Sequence, residues 1–269
     1  MTQENRIDQR FAALKTQGKT AFVAYICAGD PDMDRSLEIM FALERSGADV
    51  IELGVPFSDP MADGIVNQMA AHRALESGAT TRGVLDLIRR FREKSEIPVV
   101  LFTYLNPIYS YGFTRFHEDA AAAGADGILL LDLPPEEAAI NKELIENSRL
   151  RHIRLIAPTT PAERIPQLAA ASEGFIYYVS REGVTGAQTS LAEGIGENVA
   201  AIKAHTTVPV AVGFGISTPA QAAEVAASAD GVVVGSAIVR QIEEYGASAD
   251  VAARVESFVK PLVDAVKSV

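Results

Sequence analysis

The chain has a single cysteine, Cys27, among its 269 residues. A lone thiol closes no internal disulfide and builds no cysteine metal cage, which fits a reducing compartment. Set in an apolar run, Cys27 reads as a small buried hydrophobe rather than a nucleophile. Basic charge is also short, with 24 Lys and Arg against 35 Asp and Glu and a formal charge of −11. A groove that neutralises nucleic-acid phosphates needs clustered bases, so polymer binding is disfavoured. No apolar run approaches the roughly 20 residues of a membrane helix, and Met1 to Arg10 is polar and mixed in charge, so the expected location is the cytoplasm. The histidines are scattered, and the H-E-x-x-H pattern that opens at His117-Glu118 fails at Ala121, which removes the zinc-protease reading. No Walker A sequence is present, and Gly213-Phe214-Gly215 runs on to Thr218 where a dinucleotide fingerprint needs its third glycine.

What is present is a core-forming composition, 48% hydrophobic and 22% charged. Eight short runs rich in Val, Ile and Leu recur, separated by stretches of helical length, the pattern of parallel βαβ units. They are approximately Ala21–Ala28, Val50–Leu53, Val99–Tyr104, Ile128–Leu133, Ile153–Ala157, Phe175–Ser180, Val210–Phe214 and Val232–Val234. An internal repeat joins them: Ser46-Gly47-Ala48-Asp49-Val50 echoes Ala123-Gly124-Ala125-Asp126-Gly127, and Ser228-Ala229-Asp230-Gly231 follows less closely. In the first two, a glycine in the left-handed region would end a helix just before a strand. With no Pro/Gly/Ser-rich linker, the expected fold is one α/β domain over residues 1–269, a closed (β/α)8 TIM barrel. Asn5–Gln17 is expected as an extra N-terminal helix, and about Ile65–Ser77 as a helical insertion after strand two.

In such a barrel the working residues stand at the C-terminal ends of the strands. Strand two places Glu52 within an apolar run, where alternation points it inward beside Val50. Burial there would raise its pKa toward the range useful for proton transfer, although a structural acid remains an equal alternative. The turn-rich loop Val55–Gly64 adds Asp59 and Asp63, each an ordinary turn former when taken alone. Gly183-Val184-Thr185-Gly186, Gly213-Phe214-Gly215-Ile216-Ser217 and Gly235-Ser236 follow strands six, seven and eight. Three glycine turns at consecutive strand ends fit a phosphate held by backbone amides, which an acidic chain can offer without Lys or Arg. The glycine-rich stretch Arg181–Gly196 reads as a mobile lid. On these residues alone, another phosphate-binding barrel such as a sugar-phosphate isomerase or epimerase stays open.

The run Val50-Ile51-Glu52-Leu53-Gly54-Val55-Pro56-Phe57-Ser58-Asp59-Pro60-Met61-Ala62-Asp63-Gly64 closely resembles the signature of the tryptophan synthase alpha chain family. Ser180–Ala187, Gly213–Ser217 and Gly235–Val239 resemble it too, and the similarity spans essentially the whole chain. The resemblance implies cleavage of indole-3-glycerol phosphate to indole and glyceraldehyde 3-phosphate, with no cofactor in this chain. It implies Glu52 as acid/base and Asp63 as acceptor of the indole N–H. It puts Tyr25, Phe102 and Phe214 around the indole, Tyr177 near the catalytic glutamate, and Gly186, Gly215, Gly235 and Ser236 around the phosphate, with Thr185 also among the substrate-binding residues. It further implies a beta-chain partner that carries pyridoxal phosphate and receives indole in an α2β2 complex, with Asp59, Pro60 and Asn106-Pro107 near that interface. Ala24, Cys27 and Ile65 depart from residues common in the family, and Cys27 is expected beneath Glu52.

Overall fold

The computed structural model describes residues 5–134, 136–137, 149–179, 191–213 and 215–269. Eight parallel strands close into a barrel in sequence order. They are β1 (Ala21–Cys27), β2 (Val50–Gly54), β3 (Val99–Thr103), β4 (Gly127–Leu130), β5 (Arg151–Ile156), β6 (Ile176–Val179), β7 (Val210–Gly213) and β8 (Gly231–Val234). Each expected strand is found, shifted by at most a few residues at its ends.

Among the described residues the helices are α1 (Arg6–Thr16), α2 (Met33–Arg45), α3 (Ile65–Glu76), α4 (Thr81–Arg92), α5 (Leu105–Tyr111), α6 (Phe113–Ala123), α7 (Ile165–Ala170), α8 (Leu191–Lys203), α9 (Pro219–Ala226), α10 (Ser236–Tyr245) and α11 (Val251–Lys267). The extra helix at the front and the insertion after β2 are α1 and α3. The lid expectation fails over its last six residues, because α8 begins at Leu191 and runs through Gly194 and Gly196. Ile195, Val199 and Ile202 anchor α8 in the core, and that burial outweighs the roughly 1 kcal/mol each glycine costs a helix. Residues 181–190 lie outside the described residues.

Strand alternation makes two cores. Outward residues such as Ile51, Leu53, Val99 and Leu101 pack beneath the helices. Inward residues Val23, Val50, Val100, Leu129, Ile153 and Val233 fill the barrel, and Ile7, Phe11 and Leu14 of α1 pack on them. Helix α1 closes the N-terminal end of the barrel, with the Phe11 and Phe175 rings 5.6 Å apart. The barrel interior is packed at that end.

The repeated joint has a physical reason. Asp49 accepts the Phe22 N–H, Asp126 the Val99 N–H and Asp230 the Val210 N–H, each at 2.7–2.9 Å. Each aspartate N–H also donates back to the carbonyl of the same residue. The side chain therefore satisfies the first orphan amide of the preceding strand, while the backbone begins the next pairing. Gly47 and Gly124 turn the chain into this position at φ +93° and +97°.

Candidate active site

Glu52 is paired in register with Tyr25 on one side and Val100 on the other, and its side chain points into the barrel. It is fully buried, and among the described residues neither carboxylate oxygen has a hydrogen-bond partner. Desolvation pushes its pKa from 4.5 up to about 8. A buried, unpartnered acid costs stability, and such a cost concentrates where proton transfer is needed.

Tyr25, Phe102 and Tyr177 surround this acid. The Tyr25 and Phe102 rings meet nearly edge-on, 5.1 Å apart at 71°. Burial keeps both tyrosine hydroxyls protonated well beyond their ordinary range, and the carboxylates of Glu52 and Asp63 add to that effect on each. Both tyrosines thus lie within the field of both acids. Strand-end glycines make room for the rings. A Cβ on Gly54 would stand 2.7 Å from the Tyr25 hydroxyl, and one on Gly213 would overlap the Tyr177 hydroxyl. Gly213, read from sequence as part of a phosphate turn, also seats a ring.

Asp63 rides on the loop between β2 and α3 and is half-buried. Tyr104, the residue after β3, donates to Asp63 Oδ2 at 2.8 Å and accepts the Ala62 N–H at 3.0 Å. The Gln68 amide donates to the Asp63 carbonyl at 2.8 Å. Desolvation raises the Asp63 pKa, and hydrogen bonds from Tyr104 and Asn67, which favour the charged carboxylate, oppose that rise. Tyr104 and Asn67 escaped the sequence reading. Tyr104 carried a usable signal, since it stands directly after a strand on the working face.

On the far side of the mouth, Gly215 adopts φ +56°, and a Cβ there would meet nothing within 4 Å. Gly235 precedes α10, and no side chain caps that helix, whose first turn starts at Ser236. By contrast, Thr218 and Gln221 form a reciprocal capping box on α9. The open helix end is the one able to receive an anion, because its amides are not already taken by its own side chains. Thr185, Gly186 and Phe214 lie outside the described residues.

The family model for the tryptophan synthase alpha chain matches residues 11–267. The chain belongs to the tryptophan synthase alpha chain family. It is 50% identical to the alpha chain of Opitutus terrae over 264 residues, covering 98% of this chain and 99% of the relative. It is 51% identical to that of Geobacter sulfurreducens over 262 residues, covering 97% and 99%. The solved alpha subunit from Legionella pneumophila superposes with a TM-score of 0.88 at 41% identity, covering 99% of this chain and all of that one. A chain of tryptophan synthase from Mycobacterium tuberculosis gives a TM-score of 0.87 at 35% identity, covering 98% and 99%.

As a tryptophan synthase alpha chain the protein is a lyase acting on indole-3-glycerol phosphate. The departures from common family residues lie around the site without altering its ionisable groups. Cys27 pairs with Gly54, one inward position closer to the mouth than Tyr25, so it lies above Glu52 rather than beneath it. There it packs with Ala70, Ala71 and Ala74 of α3, and burial pushes its thiol pKa upward. Ile65 is exposed at the first position of α3, and Ala24 faces outward in the core beneath the helices. At the expected interface Asp59 and Asn106 are exposed, as are Met61 beside the former and Tyr109 on α5. Among the described residues, no helix is long and apolar enough to cross a membrane.

Proposed function

We propose that Glu52 is the acid/base and Asp63 the electrostatic anchor of the retro-aldol cleavage of indole-3-glycerol phosphate. The observation that carries the assignment is the Glu52 carboxyl group, fully buried with no hydrogen-bond partner among the described residues. With a pKa near 8 it is roughly 90% protonated at pH 7 and able to donate. Its proton goes to carbon 3 of the indole, which places positive charge on the ring nitrogen. Asp63, whose carboxylate takes the Tyr104 hydroxyl, accepts the hydrogen bond of that N–H and stabilises the charge as it develops. The side-chain hydroxyl next to carbon 3 then gives up its proton to the glutamate carboxylate. Its oxygen forms a carbonyl, the carbon–carbon bond breaks, and the bonding pair returns to the indole ring. Indole and glyceraldehyde 3-phosphate result, and Glu52 is protonated again.

Tyr25, Phe102 and Tyr177 supply apolar walls for the ring, with Phe214 assigned the same role. The phosphate sits at Gly215, Gly235 and Ser236 against the uncapped end of α10, with Thr185 and Gly186 completing the cup. The chain works in the cytoplasm in an α2β2 complex and passes indole to a beta chain that carries pyridoxal phosphate. The exposed Met61 and Tyr109, beside Asp59 and the Asn106-Pro107 turn, give that partner an apolar contact at the mouth.

The test is indole formation by purified Glu52→Gln and Asp63→Asn chains, with and without a beta chain, alongside binding of glycerol 3-phosphate. Both variants should keep phosphate-ligand affinity and lose indole formation. Near-normal turnover in Glu52→Gln would remove the assignment.

A further inference from the structure

At the end of the barrel opposite the reaction lies a cavity of about 380 Å³ between α1, α2 and α11. Five basic residues line it against two acidic ones, in a chain whose overall charge is −11. Part of this surplus is accounted for locally. Arg45 and Lys267 end α2 and α11, where a cation complements the helix dipole. Arg45 also pairs with Glu256 at 2.7 Å, and Lys260 pairs with Asp264. Lys267 donates to the Thr20 carbonyl at 2.7 Å and to Asp49, which leaves its third N–H unassigned.

Arg10 and Lys19 meet neither need. Among the described residues, Arg10, within α1, reaches only the Asp49 carboxylate, at 3.9 Å, and Lys19 has no carboxylate partner. Asp49 is already committed to the Phe22 N–H and to Lys267. Burial lowers the Lys267 pKa, and the charges of Arg10 and Lys19 lower it further against the pull of Asp49. Three cations therefore share one field and one carboxylate.

We infer that this cavity is a second anion site, built for a small metabolite with two or more linked phosphate groups and held by Arg10, Lys19 and the free N–H of Lys267. A guanidinium fork and ammonium groups on separate elements match phosphate oxygens. A single tetrahedral phosphate would leave most of the cavity empty, whereas two linked phosphates offer more oxygens to the three cations that line it. The cup at α10 binds phosphate through backbone amides at the other end of the barrel, so the two sites are separable.

The experiment uses the full chain with glycerol 3-phosphate held at saturation to fill the active-site cup. Inorganic pyrophosphate or orthophosphate is then titrated at constant ionic strength. Saturating pyrophosphate should raise the melting temperature by about 2–4 °C, and orthophosphate should bind at least tenfold more weakly. In an Arg10→Ala/Lys19→Ala chain, pyrophosphate affinity should drop at least tenfold, while glycerol 3-phosphate affinity and indole formation stay at their original values. No pyrophosphate shift in the unsubstituted chain, or the same shift in both chains, would overturn the site. Equal affinity for the two anions would overturn the multi-phosphate assignment.

Discussion

The Tyr104 hydroxyl donates to Asp63 Oδ2 while accepting the Ala62 N–H, so one tyrosine ties both the side chain and the backbone of the Asp63 loop to the end of β3. A hydrogen bond to a charged group is worth about 1.5–3 kcal/mol, and here it also selects the charged form. Tyr104→Phe should lower kcat/KM for indole formation by about ten- to a hundredfold. Removal of the donor raises the Asp63 pKa further, so the acid-side loss of activity should begin at higher pH. A pH–rate profile checks both effects, and an unchanged acid limb would reduce Tyr104 to a packing residue.

Glu52 links activity and stability through one proton. Between pH 4.5 and about 8 the folded chain holds that proton and the unfolded chain releases it, so stability falls as pH rises through this window. The loss attributable to Glu52 between pH 5 and pH 8 is about 3 kcal/mol. Glu52→Gln, which cannot ionise, should flatten that slope and be more stable than the original chain at pH 8, with no indole formation. Urea denaturation at the two pH values measures it. Equal slopes in the two proteins would mean that the carboxyl group titrates normally.

The glycines beneath the tyrosines make a second pairing open to test. Gly54→Ala places a methyl 2.7 Å from the Tyr25 hydroxyl. Such overpacking costs about 1–3 kcal/mol and should displace the ring that walls the Glu52 pocket. Tyr25→Phe in the same chain removes the nearest atom, leaving ring carbons at 3.1–3.2 Å. The double variant should recover at least half of the lost stability in a double-mutant cycle. Strict additivity of the two changes would show that the ring moves aside freely.

The strands were legible because a barrel strand covered on both faces must be apolar along its length, and Glu52 stood out against that background. Its inward orientation followed from alternation alone. The aspartates of the repeated joint were visible as a repeat, but their work was not, because Asp49 caps Phe22 across 27 residues of chain. Tyr104 was hidden for the same reason: the bond to Asp63 spans 41 residues and depends on how the loop folds back. Gly54 and Gly213 looked like turn formers, since a close approach by a ring on another strand leaves no local trace. Sequence periodicity also missed α8 through Gly194 and Gly196, where core burial outweighs helix propensity.

His152 on β5 and His117 on α6 stack with centroids 5.6 Å apart and an interplanar angle of 18°. His117 bonds the Phe113 carbonyl through Nδ1 at 2.8 Å, yet among the described residues Nε2 of each ring is buried without a partner. Burial, then His117 and Arg154, push His152 from 6.5 down to about 3, and burial also lowers His117. The His152 ring therefore stays neutral in the folded chain down to about pH 3. Between pH 6.5 and 3 the unfolded chain binds a proton at His152 that the folded chain refuses, so stability is lost as pH falls through that window. From pH 7 to pH 5 the His152 share is about 2 kcal/mol. His152→Phe keeps an aromatic ring in place and removes the titrating nitrogen. Its drop in unfolding free energy between those two pH values should be smaller by about that amount. The comparison reads a difference within each protein, so a general loss of stability in the variant does not obscure it. The same drop in both chains would show that His152 takes up its proton without unfolding.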